Sequence, residues 1–257
     1  MTKPIYTAEN CHSAYQLNWG LTIYWNDPVE SSSWLEDLSA VTEQDGVRIL
    51  KHHFSNSGIS QFFLSTKPSV SPSQIIRSVK GRMQTIVRKD HPKAFRRNYA
   101  IRSIGSATRE AVENYVADQL GHHRMADSNT QDIFNDYQLQ RSEVDLSIQR
   151  KSSYGVFWYN LHVVIVNEER YMEVRKSSLE AIRDMIFRSS DKHGRLVSRL
   201  SILADHLHLT VGCNIEESPS EVVVGYMNNL AYALEMKPVF RNGYYVGTIG
   251  EYDRGAV

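Results

Sequence analysis

Two histidines, His206 and His208, stand two residues apart in the stretch ILADHLHLTVG (residues 202–212). This stretch has the apolar pattern of a β-strand, and side chains alternate across a strand, so both imidazoles point to one face. Imidazole nitrogens bind borderline divalent cations, so the pair is a candidate metal site. Histidines at this spacing are also common as packed or surface residues. The choice depends on which further ligands the fold brings to this face.

The chain contains an internal repeat. FRRNYAIRSIG (95–105) aligns without gaps with FRNGYYVGTIG (240–250), and SPSQIIRSVKGRM (71–83) aligns with SPSEVVVGYMNNL (218–230). The offsets between the matched segments are 145 and 147 residues. Two matches in the same order at nearly the same offset indicate one duplication rather than chance similarity.

Each half shows the same order of predicted elements. A β-type stretch opens each half, and a helical stretch follows at about 31–45 and 172–190. Each SPS motif predicts a helix start, because Ser caps the first-turn amides and Pro suits the first helical position. The order βαββαβ predicts an α+β fold of two ferredoxin-like units, each an antiparallel sheet with helices on one face. The expected division is a first repeat over 1–124, a linker over 125–153 and a second repeat over 154–257.

The composition is that of an ordinary globular protein. The 257 residues include 29 Lys or Arg and 29 Asp or Glu, and Cys11 and Cys213 are the only cysteines. Two cysteines are too few for a disulfide framework or a thiolate metal site. We expect neither a secretory signal nor a membrane span, because the most apolar run is short and interrupted by polar residues. A cytoplasmic protein is therefore expected.

Charge is distributed unevenly along the chain. Residues 67–104 hold ten Lys or Arg and one Asp, whereas residues 214–251 hold two Lys or Arg and five Glu. Charged runs are usually solvated faces, but one this one-sided predicts a surface that binds nucleic-acid phosphates. The candidate DNA-binding residues are Arg77, Lys80, Arg82, Arg88, Lys89, Arg96 and Arg97.

Four segments, taken together, resemble one known family. They are ADHLHLTV (204–211), the SPSQIIRSVKGRM helix, the FRNGYYVGTIG strand and ATREAVENYVADQ (107–119). In this order they resemble the single-tyrosine HUH transposases of single-strand insertion sequences and their REP-associated relatives, where HUH denotes His-hydrophobic-His. The resemblance implies a metal-dependent endonuclease and strand transferase that acts on single-stranded DNA, using Mg²⁺ or Mn²⁺. It also implies a covalent 5′-phosphotyrosine intermediate and a freed 3′-hydroxyl.

The resemblance assigns roles to four residues of this chain. His206, His208 and Gln119 would bind the cation, and Tyr115 would attack the DNA phosphate. Tyr115 and Gln119 are four residues apart, so on a helix they share a face. The cation would polarise the phosphoryl group, and a phenolate leaves more easily than an alkoxide. Tyr115 also falls on an apolar stripe typical of a core tyrosine, although Gln119 on the same stripe would need partners if buried.

The two halves have lost different parts of the site. Alignment at SPS places Ile59 opposite His206 and Gln61 opposite His208, so the first half lacks the histidine pair. Val257 stands opposite Val112, so the counterpart of ENYVADQ (113–119), which contains the tyrosine, would begin beyond the last residue of the second half. In family members one subunit's tyrosine helix can serve the histidines of the other subunit. The chain thus resembles such a dimer fused into one monomeric pseudo-dimer, with one hybrid site for hairpin-forming single-stranded DNA.

Two other functions remain open. Loss of half the catalytic residues also fits a domesticated, catalytically inactive protein that binds DNA hairpins, which predicts binding without a covalent adduct. Alternatively, HLT (208–210) is half of a two-histidine phosphoesterase motif, whose second half would be HFS (53–55). Asn56 follows that motif where an apolar residue is expected. This second alternative predicts activity without a metal.

Several other residues near these motifs have ambiguous roles. Asp205 precedes the histidine pair and either hydrogen-bonds a histidine or is a solvated loop charge. The remaining histidines considered have no spacing that indicates a ligand set, and we expect them to be structural or exposed. They are His52, His53, His122, His123 and His162.

Overall fold

Twelve strands in the described residues form two six-stranded sheets in a computed structural model. The structure describes residues 4–29, 31–55, 58–122, 128–235 and 239–251. The strands are β1 (His12–Gln16), β2 (Asn18–Trp25), β3 (Val47–Ser55), β4 (Ile59–Thr66), β5 (Phe95–Ile104), β6 (Gln138–Gln140), β7 (Arg150–Lys151), β8 (Gly155–Trp158), β9 (Asn160–Asn167), β10 (Leu196–Ile202), β11 (His206–Gly212) and β12 (Phe240–Thr248). The helices are α1 (Leu35–Gln44), α2 (Pro72–Ile76), α3 (Arg82–Val87), α4 (Arg109–Ala117), α5 (Gln119–His122), α6 (Ser128–Asn135), α7 (Lys176–His193) and α8 (Pro219–Leu234).

Each sheet contains one ferredoxin-like unit. The first sheet has the order β3-β4-β2-β5-β8-β7, and the second has the order β1-β12-β9-β11-β10-β6. Within each unit the strands lie in the same spatial order, with the first and third strands at the centre. All neighbouring strands within a unit pair antiparallel. The prediction of two βαββαβ units is confirmed.

The two SPS motifs begin equivalent helices. Ser71 caps α2 and Ser218 caps α8, and each forms a capping box with the residue three positions later. Helix α2 continues through π-helical turns (Arg77–Gly81) into α3, whereas α8 is one regular helix. Apolar side chains of these helices, of α1 and of α7 pack into the buried core. The capping residues of the SPS motifs, which the sequence shows directly, therefore determine where these helices start.

The two units exchange strands reciprocally. Strand β1 precedes β2 in the chain but pairs parallel with β12 of the second sheet, and β8 precedes β9 but pairs parallel with β5 of the first sheet. The backbone crosses between sheets at Leu17 and Tyr159, whose carbonyls accept hydrogen bonds from Thr66 and Cys213 at 3.1 and 2.8 Å. The ring centroids of Trp19 and Tyr159 are 5.2 Å apart. This exchange joins the halves.

Side-chain hydrogen bonds repeat the same reciprocity at the junction. The amide of Asn18 donates to Oγ1 of Thr248 at 2.9 Å, and the amide of Asn160 donates to Oγ of Ser103 at 3.1 Å. Each of these pairs joins one half to the other at equivalent positions of the repeat. The two units are thus fixed relative to each other by matched contacts.

The segment between the repeats adds to both sheets. Helix α6 and strand β6 lie within residues 125–153, and β6 pairs with β10 at the edge of the second sheet. Strand β7 pairs with β8 at the edge of the first sheet. The sequence predicted a linker with some helical content, and the structure shows that this segment also extends the sheets. No helix within the described ranges is long and apolar enough to cross a membrane.

Candidate active site

Strand β11 carries both predicted histidine ligands on one face of the second sheet. His206 pairs with Val166 and His208 with Val164 of the neighbouring β9. Both imidazoles are buried, and their ring centroids are 5.1 Å apart. Leu207 and Leu209 point to the opposite face and are buried in the core. The alternation expected from the sequence is observed.

The first unit has no histidines at the equivalent positions. Ile59 and Gln61 of β4 pair with Tyr24 and Thr22 of β2. Tyr24 is the seventh residue of β2, as Val166, the partner of His206, is the seventh residue of β9. This register agrees with the sequence alignment, which placed Ile59 opposite His206 and Gln61 opposite His208.

The tyrosine helix of the first half packs on the histidine strand of the second half. Oγ1 of Thr108 accepts a hydrogen bond from the amide of Ala111 and caps α4, which contacts β10 and β11. The ring of Tyr115 lies 5.8 Å from that of His208, edge to face. Tyr115 is 46% exposed, so it is not a core tyrosine. The fold therefore brings together residues that lie 93 positions apart in the chain.

Gln119 is fully buried at the start of α5. Its Nε2 donates to the carbonyl of Tyr115 at 2.8 Å, which fixes the orientation of the amide. Among the described residues, Oε1 of Gln119 has no hydrogen-bond partner. A buried acceptor without a partner costs roughly 1–3 kcal/mol. Such an oxygen is suited to a cation, which is the role that the family resemblance implies.

Asp205 orients one of the histidines. Its Oδ1 lies 2.6 Å from Nδ1 of His206, and its Oδ2 accepts from Arg170 at 2.6 Å. Burial alone would raise the pKa of Asp205, but the hydrogen bond and charge of His206 and the charge of Arg170 hold it below its ordinary value. An ionised Asp205 thus holds the proton of His206 on Nδ1, and His206 would coordinate a metal through Nε2.

His162 is a member of the cluster that sequence reasoning missed. It lies on β9 beside β11, with Nε2 at 3.1 Å from Nδ1 of His208, and the two rings stack at 5.4 Å. Burial lowers the pKa of His162 to about 4, so the ring is neutral at pH 7. In the pairing of β9 with β11, His162 lies opposite Thr210 and therefore diagonally from His208. This pairing is the signal that could have identified His162, and the spacing of residues along the chain does not reveal it.

The donors present fit a divalent cation. In the part of the chain that the structure describes, no group of three or more His, Cys, Asp or Glu is arranged to hold a metal. The ligand set that the resemblance implies includes the amide oxygen of Gln119, so it is not a group made only of His, Cys, Asp or Glu. Imidazole nitrogens suit a borderline divalent cation and an amide oxygen suits a harder one, and this chain supplies two buried imidazoles, one of them oriented by Asp205, and a buried amide oxygen without a hydrogen-bond partner among the described residues. His206, His208 and Gln119 are the residues that would hold such an ion.

The predicted basic residues lie in different environments. The ammonium of Lys80 donates to the carbonyls of Arg96, Arg97 and Asn98 at 2.6, 2.8 and 3.2 Å, so it fastens the start of β5 to the helical layer. Arg82 forms an ion pair with Asp45 at 2.8 Å. The side chains at the remaining predicted positions are exposed: Arg77, Arg88, Lys89, Arg96 and Arg97.

Two further histidine predictions have different outcomes. His53, required for a two-histidine phosphoesterase, lies on β3 of the first sheet, whereas His208 lies in the second sheet. His122 was expected to be structural or exposed; it is exposed, and its ring lies 5.9 Å from that of Tyr115. His123 lies outside the described residues. So do residues 252–257, which the repeat alignment pairs with the start of the tyrosine helix.

Part of the chain matches the model of a known protein family, and the chain is similar to several solved structures. The family model described as "Transposase IS200 like" matches residues 29–119. A structure from Deinococcus radiodurans R1 described as a transposase shares 14% identity, covers 42% of this chain and 92% of its own, and has a TM-score of 0.36. The structure of a REP-associated tyrosine transposase bound to a REP hairpin shares 10% identity, covers 42% of this chain and 67% of its own, and has a TM-score of 0.34. No curated protein sequence matches the chain.

Proposed function

We propose that this chain cuts and transfers single-stranded DNA at one site formed between its halves, because residues 29–119 match the family model of IS200-like transposases. The observation that carries the proposal is the contact between Tyr115 of the first half and His208 of the second. Neither half holds both a tyrosine helix and a histidine pair within the described residues. A functional site would therefore need both halves, as in a fused pseudo-dimer.

The chemistry follows from the residue types in the cluster. The oxygen of Tyr115 would form a bond to the DNA phosphorus, and the bond from phosphorus to the 3′ oxygen of the preceding nucleotide would break. The freed 3′ oxygen takes up a proton, and the 5′ phosphate stays on Tyr115 until a second 3′-hydroxyl reverses the step. A divalent cation, when bound, would neutralise charge that develops on the phosphoryl oxygens.

Residues around the tyrosine would support this step. The phenol must lose its proton, and His122, whose ring lies 5.9 Å from that of Tyr115, is exposed and can pass a proton to solvent. Nε2 of His122 itself lies 3.5 Å from Oδ2 of Asp118. The amide of Gln119 donates to the backbone carbonyl of Tyr115, which links the backbone of the nucleophile to the buried glutamine. The exposed basic residues Arg88 and Lys89 would contact phosphates of a DNA hairpin.

The test is a covalent adduct assay. The chain is incubated with labelled hairpin-bearing single-stranded DNA and Mn²⁺ or Mg²⁺, and a denaturing gel is examined for a protein–DNA band. We expect a band that is lost in Tyr115→Phe and in His208→Ala. The matched controls are Tyr232→Phe, an exposed tyrosine on α8, and His193→Ala, at the end of α7, and both should retain the band.

The alternative of an inactive DNA-binding protein makes the opposite prediction. It requires hairpin binding by the wild-type chain with no adduct on any substrate that binds tightly. A band that persists in Tyr115→Phe would contradict the assignment of the nucleophile. A band that needs no added metal and survives chelation would contradict the metal-dependent mechanism.

A further inference from the structure

The first sheet keeps an accessible face where the second sheet has a covered one. Every residue of β11 is buried, whereas residues of β4 alternate between buried and partly exposed, as do those of β2. The accessible positions of β4 include Gln61, which is the counterpart of His208. In the described part of the chain, the face of the first sheet equivalent to the histidine face is therefore open. We call this surface the open face.

The open face is basic and aromatic. Its accessible side chains include those of Tyr24, Lys51, Phe63, Arg102, Lys151 and Trp158. None of the strand positions that share this face in the described residues is Asp or Glu. Cations that contact phosphates and aromatic rings on which bases stack are the two features of single-stranded nucleic-acid binding sites.

The open face ends in a pocket of about 190 Å³ at the junction of the two halves. Arg102 lies over the ring of Trp158 at 4.6 Å, and the indole N–H of Trp158 donates to the carbonyl of Ser147 at 2.9 Å. Arg109 also lines this pocket. The indole is thus held rigidly, with a guanidinium against its face.

The pocket lies beside the tyrosine helix. Arg109 is the first residue of α4, and Tyr115 follows six residues later, about 9 Å further along the axis at 1.5 Å per residue. The pocket shares Arg102 and Trp158 with the open face and Arg109 with the tyrosine helix, so it adjoins both.

We propose that the open face, with its junction pocket, binds the single-stranded segment of the DNA that leads to Tyr115. This inference rests on the proposed function, because it assumes a single-stranded DNA substrate. Bases would stack on Trp158, Phe63 and Tyr24, and phosphates would contact Lys51, Arg102 and Lys151. The first unit would thus use the face where it lacks histidines to hold DNA for the site in the second unit.

The test compares a hairpin with the same hairpin that carries a single-stranded tail, bound to the full chain in a Tyr115→Phe background so that no cutting occurs. We expect the tail to tighten binding, and we expect Trp158→Ala to remove about tenfold of this gain, the effect of removing one base–aromatic stack. The other three tryptophans, Trp19, Trp25 and Trp34, are buried. Tail binding should therefore quench the emission of Trp158 selectively.

Charge variants test the role of the lysines in binding phosphates. Lys51→Gln combined with Lys151→Gln should lower the slope of log affinity against log salt by about 0.7 for each phosphate that a lysine no longer neutralises. The matched controls lie on the helical layer of the second unit: Tyr232→Ala for the aromatic change, and Lys176→Gln with Lys192→Gln for the charge change. These controls should leave tail binding unchanged.

The outcomes separate this inference from the proposed function. The inference would be overturned if the tail added the same affinity to the Tyr115→Phe parent, to its Trp158→Ala variant and to its lysine variant. It would also be overturned if a duplex extension added as much affinity as the tail. A tail that adds no affinity would overturn it too. Adduct formation by Tyr115 on a hairpin whose single strand is too short to reach Trp158 tests the proposed function independently.

Discussion

Replacement of Gln119 by leucine should leave the metal-free protein as stable as the wild type, or more stable. Gln119 is fully buried, and Oε1 has no partner among the described residues. Relief of that unsatisfied acceptor is worth about 1–3 kcal/mol, and loss of the hydrogen bond to the Tyr115 carbonyl costs about 1 kcal/mol. The expected net change in the free energy of unfolding is from zero to about 2 kcal/mol in favour of Gln119→Leu.

The same substitution should abolish stabilisation by metal. A cation that binds the folded state adds about 2.7 kcal/mol at a concentration of about one hundred times its dissociation constant. We expect urea unfolding with Mn²⁺ to show a gain of this order for the wild type, and a much smaller gain for Gln119→Leu. Covalent adduct formation should fall in parallel, because a ligand is missing.

A partly buried glutamine with satisfied hydrogen bonds provides the control. Gln138 donates to the carbonyls of Phe134 and Ile202, and its Oε1 accepts from Ser201. Gln138→Leu should lower the free energy of unfolding by about 1–3 kcal/mol, with and without metal. Two results would contradict this reasoning. One is that, with a chelator present, the Gln119→Leu protein is less stable than the wild type by more than about 1 kcal/mol. The other is that Mn²⁺ stabilises the Gln119→Leu protein as much as it stabilises the wild type.

Three further predictions concern the basic segment, a partly buried histidine and the hybrid site. Lys80→Met should lower the free energy of unfolding by about 1–3 kcal/mol and leave the salt slope of DNA binding unchanged, because the ammonium of Lys80 donates to backbone carbonyls. Arg88→Gln should leave the free energy of unfolding unchanged and lower the salt slope of DNA binding. Burial, with the charge of the adjacent His53, lowers the pKa of His52 to about 4 from 6.5. Its contribution to stability is full above about pH 6.5 and is lost as the pH falls towards 4. Because solvent screens this partly exposed ring, His52→Gln should remove about 1–2 kcal/mol of the acid destabilisation seen in urea titrations at about pH 4. A mixture of the Tyr115→Phe and His208→Ala chains should form no adduct, because each chain builds its own site; adduct formation by the mixture would show exchange of tyrosine helices between chains.

The sequence was sufficient where local chemistry decides structure. The alternation in DHLHLTV predicted that His206 and His208 share a face, and the SPS motifs predicted two helix starts that the structure confirms. The repeat predicted two ferredoxin-like units, because a duplicated pattern of elements has one favoured way to bury its apolar faces. These features depend on neighbours along the chain, which a sequence displays directly.

Tertiary structure decided everything that depends on contacts between distant segments. The place of His162 beside His208 follows from strand register, and the crossing of β1 and β8 into opposite sheets depends on edge pairing that alternation cannot specify. Charge in the sequence marked Lys80 as a DNA contact, yet its ammonium binds backbone carbonyls of β5. The pairing of Tyr115 with His208 needed both the resemblance, which suggested it, and the packing of α4 on β11, which fixes the distance. A side chain's partner is set by which surfaces bury each other, and that is a property of the whole fold.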